Sequence, residues 1–130
     1  MACMETDFLV ALNRNEKDAI SKLAMLQKSN TELTITPISA YELMFGAHKS
    51  GSGQRVGHAE EIVNAANLLE FDFYAAKEAG RISYELEKAG KKIGDMDTLI
   101  AAIALRHGET ILTRNAKHFG KVPGLKTEKW

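Results

Sequence analysis

Asp95-Met-Asp-Thr-Leu-Ile-Ala-Ala-Ile-Ala-Leu105, followed by Gly108 and then by Thr110-Ile-Leu-Thr113, decides the fold class. From Leu99 to Leu105 every residue is apolar, so no face of a helix built from this run can be left to water. It must be buried all round, and Ala101, Ala102 and Ala104 allow neighbours to approach closely. Asp95 and Asp97 stand in the first turn, where the helix dipole and free N–H groups favour negative charge. Gly108 is a C-terminal stop, and the β-branched run after it predicts a strand. A buried helix feeding a short strand is the unit of an α/β domain with a mostly parallel central sheet flanked by helices.

Working outward, the same alternation recurs. Met1 to Glu5 predicts a short strand, and Phe8 to Leu12 the apolar start of a helix. Asn15 is a plausible N-cap for a second helix over Glu16 to Lys28. Glu32 to Thr36 alternates and predicts a strand that Pro37 ends. A helix follows from Ile38 to about Ala47. Gly46 to Gly57 holds four glycines, the cations Lys49 and Arg55, and no acid; it predicts a loop or loosely ordered hairpin. Ala59 to Ala66 predicts a helix and Leu68 to Phe71 a strand. Asp72 caps a longer helix running to about Ala89, with Gly90 as its stop. The segment from Phe119 to Trp130 holds one possible edge strand. No repeat, linker or low-complexity tract divides the chain, so residues 1–130 are expected to form one domain.

Composition excludes several classes of function. With 45% hydrophobic and 26% charged residues the chain is neither disordered nor fibrous. Its longest apolar run is far below the ~20 residues of a membrane span. Nothing resembles a secretory leader, and Cys3 stands alone, so neither a disulfide framework nor a cysteine zinc site is available. The expected location is the cytoplasm. Seventeen basic residues balance seventeen acidic ones, which argues against bulk electrostatic binding of nucleic acid but leaves local basic surfaces open.

In parallel sheets, ligands bind outside the carboxyl ends of the strands. Glu5 and Asp7 follow the first strand, where one carboxylate also serves as an N-cap. Glu42 shares a helix face with Ile38 and Phe45, and a carboxylate on an apolar face must be paired or bound to a cation. Asp97 shares its face with Ile100 and Ala101. The dipole accounts for Asp95 alone better than for two acids spaced by one residue. Thr113 and Asn115 follow the last clear strand, either as turn formers or as groups that hydrogen-bond water or phosphate. Hard cations such as Mg²⁺ take oxygen donors of this kind. Carboxylates gathered without a cation would raise one another's pKa values. The four histidines lack metal-ligand spacing, and no phosphate-cradling glycine motif or nucleophile elbow is present.

Four stretches then carry a resemblance to a known family. They are Glu5-Thr6-Asp7-Phe8-Leu9, Ile38 to Ala47, Gly94 to Ala104, and Leu112 to Phe119 with Val122-Pro-Gly-Leu125 after it. Together, in this order, they resemble the PIN-domain ribonucleases, in particular the VapC-type toxins of toxin–antitoxin pairs, and most of all the tRNA-cleaving branch. The resemblance implies a Mg²⁺- or Mn²⁺-dependent endoribonuclease blocked by a partner antitoxin. It places the family's second acid on Glu42 and its third on Asp97. The first acid, usually Asp before Thr, reads Glu5-Thr6 here, so Asp7, Glu5 or both serve as first-strand ligand; Asp7 is preferred as the shorter, with Glu5 beside it. The fourth acid falls on His118, which leaves a one-metal site or a histidine proton donor open. On this reading Asp7, Glu42, Asp97 and Glu5 are metal ligands, Asp95 joins them as a candidate catalytic acid, and Thr113 and Asn115 position water or the scissile phosphate.

Local charge is compatible with an RNA substrate. Arg114, Lys117, Lys121, Lys126 and Lys129 face a single acid, Glu128, after Thr113, and Lys88, Lys91 and Lys92 precede Asp95. Apolar positions around Leu12, Ile20 and Leu23 suggest a homodimer face. Two rival readings stand beside the nuclease. One keeps the fold as a catalytically impaired RNA- or protein-binding module. The other is a phosphoacceptor receiver domain, for which Glu70 and Asp72 are poor acceptors.

Overall fold

A computed structural model describes residues 1–130. Its elements are β1 (Ala2–Met4), α1 (Thr6–Asn13), α2 (Lys17–Lys28), β2 (Leu33–Ile35), α3 (Pro37–Lys49), α4 (Gly53–Ala65), β3 (Asn67–Leu68), α5 (Phe73–Lys88), α6 (Asp95–His107), β4 (Thr110–Leu112), α7 (Ala116–Phe119) and β5 (Lys126–Glu128). The strands form one sheet in the order β3-β2-β1-β4-β5, and every pairing is parallel. The chain builds outward from β1 through β2 to β3, then returns to lay β4 and β5 on the other side. The order reverses between β1 and β4, and a crevice opens at the carboxyl ends of strands at such a switch.

Two cores cover the two faces of the sheet. Leu112 packs with Phe8, Leu9, Leu12, Leu43 and Ala59 from α1, α3 and α4. Its neighbour Ile111 packs with Ile82, Leu86 and Ile100 from α5 and α6. Successive strand residues point to opposite faces, so these two adjacent residues anchor opposite layers. Ile100 to Ala104 are wholly buried, as a helix apolar on every side requires. Gly108 ends that helix at φ +67° and Gly90 follows α5 at φ +68°, both in the left-handed region where glycine carries no steric penalty. Asp72 caps α5 by accepting from the Ala75 N–H at 2.9 Å, which holds its carboxyl below its ordinary pKa.

Four expectations need correction. Asn15 does not cap α2: it sits at φ +58° in the turn, and Glu16 takes the cap position without a side-chain hydrogen bond. Gly46 to Gly57 is not a loop. Helix α3 continues through Gly46 to Lys49, and α4 begins at Gly53 under a Ser52 cap, leaving three residues as the turn. Tertiary packing of Ala47 and Ala59 outweighs the modest helix penalty of the glycines. β3 is Asn67–Leu68 and exposed, short of the strand expected over Leu68 to Phe71. Of the residues of the expected dimer face, Leu12 is buried in the core and Leu23 packs partly buried against it, while Ile20 remains 46% exposed.

Candidate active site

Glu5 and Thr113 come directly after β1 and β4, the two strands flanking the switch point. Glu5 is buried and caps α1, accepting from the Asp7 N–H at 3.4 Å. Thr113, also buried, places its hydroxyl 3.1 Å from Glu5 Oε2 and 3.1 Å from Asp7 Oδ2. One hydroxyl proton cannot serve both acceptors at once. Asp7 has further donors: the Arg114 N–H at 2.9 Å and the Trp130 indole N–H at 3.4 Å. Burial pushes the Glu5 carboxyl up to about 8, with the negative charge of Asp7 adding to the effect. Both effects favour the protonated form of Glu5 over two negative charges side by side.

Glu42 lies across from this pair. Its Oε1 accepts from the Thr6 hydroxyl at 2.6 Å, and Ser39 stands 3.1 Å from the same hydroxyl. The expectation of a buried apolar face around Glu42 is corrected here: Glu42 is half-buried and Phe45 is 55% exposed. Asp97, in the first turn of α6, is half-buried and meets His118 of α7, with Nε2 2.8 Å from Oδ2. Asp95 is exposed and makes no hydrogen bond to the other acids. Asn115 is exposed; its N–H donates to Thr113 Oγ1 at 2.9 Å, and its side chain makes no cap bond to α7.

The acids thus fall into Glu5 with Asp7, Glu42 with Thr6, and Asp97 with His118. No three His, Cys, Asp or Glu side chains stand close enough, as placed, to hold a metal ion. Their chemistry nevertheless suits a hard cation. All four carboxyls are oxygen donors, and buried Glu5 shares the Thr113 hydroxyl with Asp7, a pair of like charges that a cation would satisfy together.

Sequence reasoning missed three contributors. Thr6 and Ser39 flank Glu42, and a hydroxyl beside a carboxylate leaves no distinctive sequence signal. Trp130 reaches Asp7 from the far end of the chain, packs edge-on to Phe8 at 5.1 Å between centroids, and carries the Arg114 guanidinium 3.6 Å above its ring. Arg114 also approaches Glu16 and Asp18, at 3.8 and 3.7 Å, so it is not a free cation of the basic strip.

Comparison with known proteins agrees with the fold. The PIN domain family model matches residues 2–125. The tRNA(fMet)-specific endonuclease VapC of Shigella flexneri is 30% identical over 128 residues, covering 98% of this chain and 96% of that protein. Ribonuclease VapC2 of Rickettsia felis is 30% identical over 129 residues, with the same coverage. The crystal structure of VapBC2 from Rickettsia felis, bound to a DNA fragment from their promoter, superposes with a TM-score of 0.87 at 29% identity, covering 99% of this chain and 98% of that one. The chain belongs to the PIN-domain family and, within it, to the VapC-type ribonucleases. None of its helices is long and apolar enough to cross a membrane.

Proposed function

We propose that the chain is a divalent-metal-dependent endoribonuclease, the toxin of a toxin–antitoxin pair, acting on tRNA or another structured RNA. The observation that carries this reading is the meeting of Glu5, Asp7 and Thr113 at the β1–β4 switch point, two carboxyls brought together on one hydroxyl. Glu5, Asp7, Glu42 and Asp97 would hold Mg²⁺ or Mn²⁺, Glu42 and Asp97 exchanging Thr6 and His118 for the ion. Once bound, the ion would supply Lewis acidity for attack of water on the phosphodiester. Thr113 would orient whichever first-strand carboxyl accepts its proton. Asn115, whose amide is not spent on capping, orients water or the phosphate. The antitoxin partner and the tRNA target rest on the resemblance to relatives bearing those names. A second copy of the chain is the remaining partner, with Ile20 and Met25 of α2 the exposed apolar residues it would cover.

A second reading, binding without cleavage, is favoured by the Asp97–His118 pair. Purified protein incubated with total RNA and Mg²⁺ or Mn²⁺ decides between them. Cleavage that chelation and Asp97→Asn both abolish, with Asp97→Asn melting as the wild type does, supports the enzyme. Intact RNA with a folded wild-type protein supports the binding module.

A further inference from the structure

A cavity of about 330 Å³ opens between the end of α1, the last turns of α3 and the first turn of α4. Arg14, Lys49 and Arg55 line it, and no acid does. None of the three takes part in an ion pair; every salt bridge of the chain involves other residues. In a chain with as many acids as bases, three unneutralised cations around one hollow make a local positive field. Lys49 extends over the Phe45 ring, its Nζ 5.3 Å from the centroid.

The start of α4 adds to that field. This helix runs thirteen residues, carries no acid in its first turn, and is capped by Ser52, whose hydroxyl accepts from the Arg55 N–H at 3.3 Å. Its leading N–H groups and dipole favour an anion. An independent observation points to a ligand. Asn13 is 7% exposed and lines the same cavity, yet its Oδ1 is enclosed without any hydrogen-bond partner. Buried side-chain amides almost always find a partner. The oxygen is the enclosed end; Nδ2 is neither enclosed nor hydrogen-bonded, so the side chain as it stands is able to offer an N–H to an anion in the hollow. Asn13, Ser52 and Arg55 also line the adjoining polar cavity of about 540 Å³, where Glu61 is the one acid.

We propose that this hollow is a phosphate-binding site, and that it receives a backbone phosphate of an RNA strand also engaged at Glu42. The second half rests on the ribonuclease reading above; the first does not. Lys49 lies two helical turns beyond Glu42 on α3, about 10 Å of rise, which a strand of a few nucleotides spans.

Two measurements on the full chain test it. In the first, inorganic phosphate is titrated into ¹⁵N-labelled protein while the Gly53–Arg55 backbone and Asn13 side-chain resonances are followed. Saturable shifts are expected in the wild type and not in a folded Arg14→Gln/Arg55→Gln variant. No saturable shift, or equal shifts in the variant, overturns the site. The same shifts from polyglutamate and none from phosphate assign the hollow to an acidic peptide and also overturn it. In the second, an uncleavable 2′-O-methyl oligonucleotide is bound over a range of salt concentrations. Lys49→Gln and Arg55→Gln are each expected to reduce the slope of log K against log salt by about 0.7, while Lys28→Gln leaves it unchanged. Phosphate binding with unchanged slopes means the site takes free phosphate groups, and the RNA half is overturned. Failure of the wild type to bind any oligonucleotide overturns the ribonuclease reading as well, and the phosphate titration still decides the site.

Discussion

His118 Nε2 lies 2.8 Å from Asp97 Oδ2, joining α7 to the first turn of α6. The ring stands edge-on to Phe119, centroids 5.8 Å apart and planes at 89°. An imidazole therefore occupies the place where the family resemblance calls for a fourth acid, and it holds the third acid by a direct hydrogen bond instead of repelling it.

Replacing that imidazole with a carboxylate should exchange attraction for repulsion. His118→Glu is expected to lower the melting temperature in the presence of chelator and to raise it by more than the wild type gains when Mn²⁺ is added, because ligands that bind only the folded state stabilise it by mass action. Thermal melts with and without Mn²⁺ measure both effects. A variant that melts as the wild type does under both conditions contradicts a metal site at Asp97.

Glu5 makes stability depend on pH in a defined direction. Its carboxyl is raised from 4.5 to about 8 by burial and by Asp7, so between those values the folded chain keeps a proton that the unfolded chain has lost. The stabilisation is fully present below the ordinary carboxyl pKa and is lost as pH rises through about 8. In chelator, the wild-type melting temperature should fall from pH 5 to pH 9 more steeply than that of Glu5→Gln. A divalent ion that displaces this proton should stabilise the wild type more at pH 8.5 than at pH 6. Parallel curves for the two proteins would contradict the assignment.

Thr113 is the group shared by Glu5 and Asp7. Thr113→Val keeps the side chain's shape but leaves both carboxyls without that hydroxyl, which should cost about 1–3 kcal/mol. Urea unfolding reads the loss, and Thr113→Ser, which keeps the hydroxyl, should recover most of the hydrogen-bond contribution. A Val variant as stable as the wild type, with Ser destabilised, would mean that packing of the methyl group, and not the hydrogen bonds, is what matters there.

Much of the fold is legible in the sequence because α6 and β4 have patterns with only one physical outcome. An all-apolar helix must be buried, and a β-branched run after a glycine stop makes a strand. Gly46 to Gly57 misleads because glycine propensity is a local quantity, whereas Ala47 and Ala59 are held in helices by packing against distant residues. Glu5, Asp7, Asp97 and Thr113 are picked out by position after strands and at helix starts, and Glu42 by its apolar neighbours on a helix. Their partners are not. Thr6 on Glu42, His118 on Asp97 and Trp130 on Asp7 bridge 36, 21 and 123 residues, and only the folded chain specifies those contacts. Asp95 shows the converse: its place at a helix start is fully accounted for by the dipole, and it stands exposed, apart from the other acids.

Anomalous diffraction from crystals of the protein grown in Mn²⁺ bears most directly on the claim that these carboxylates hold a divalent ion. The expected map shows manganese within about 2.0–2.6 Å of oxygens from Asp97 and a first-strand acid, with Asp97 drawn off His118 and Glu42 off Thr6. Crystals at saturating Mn²⁺ with no anomalous peak there, Asp97 still on His118 and Glu42 still on Thr6, would contradict it.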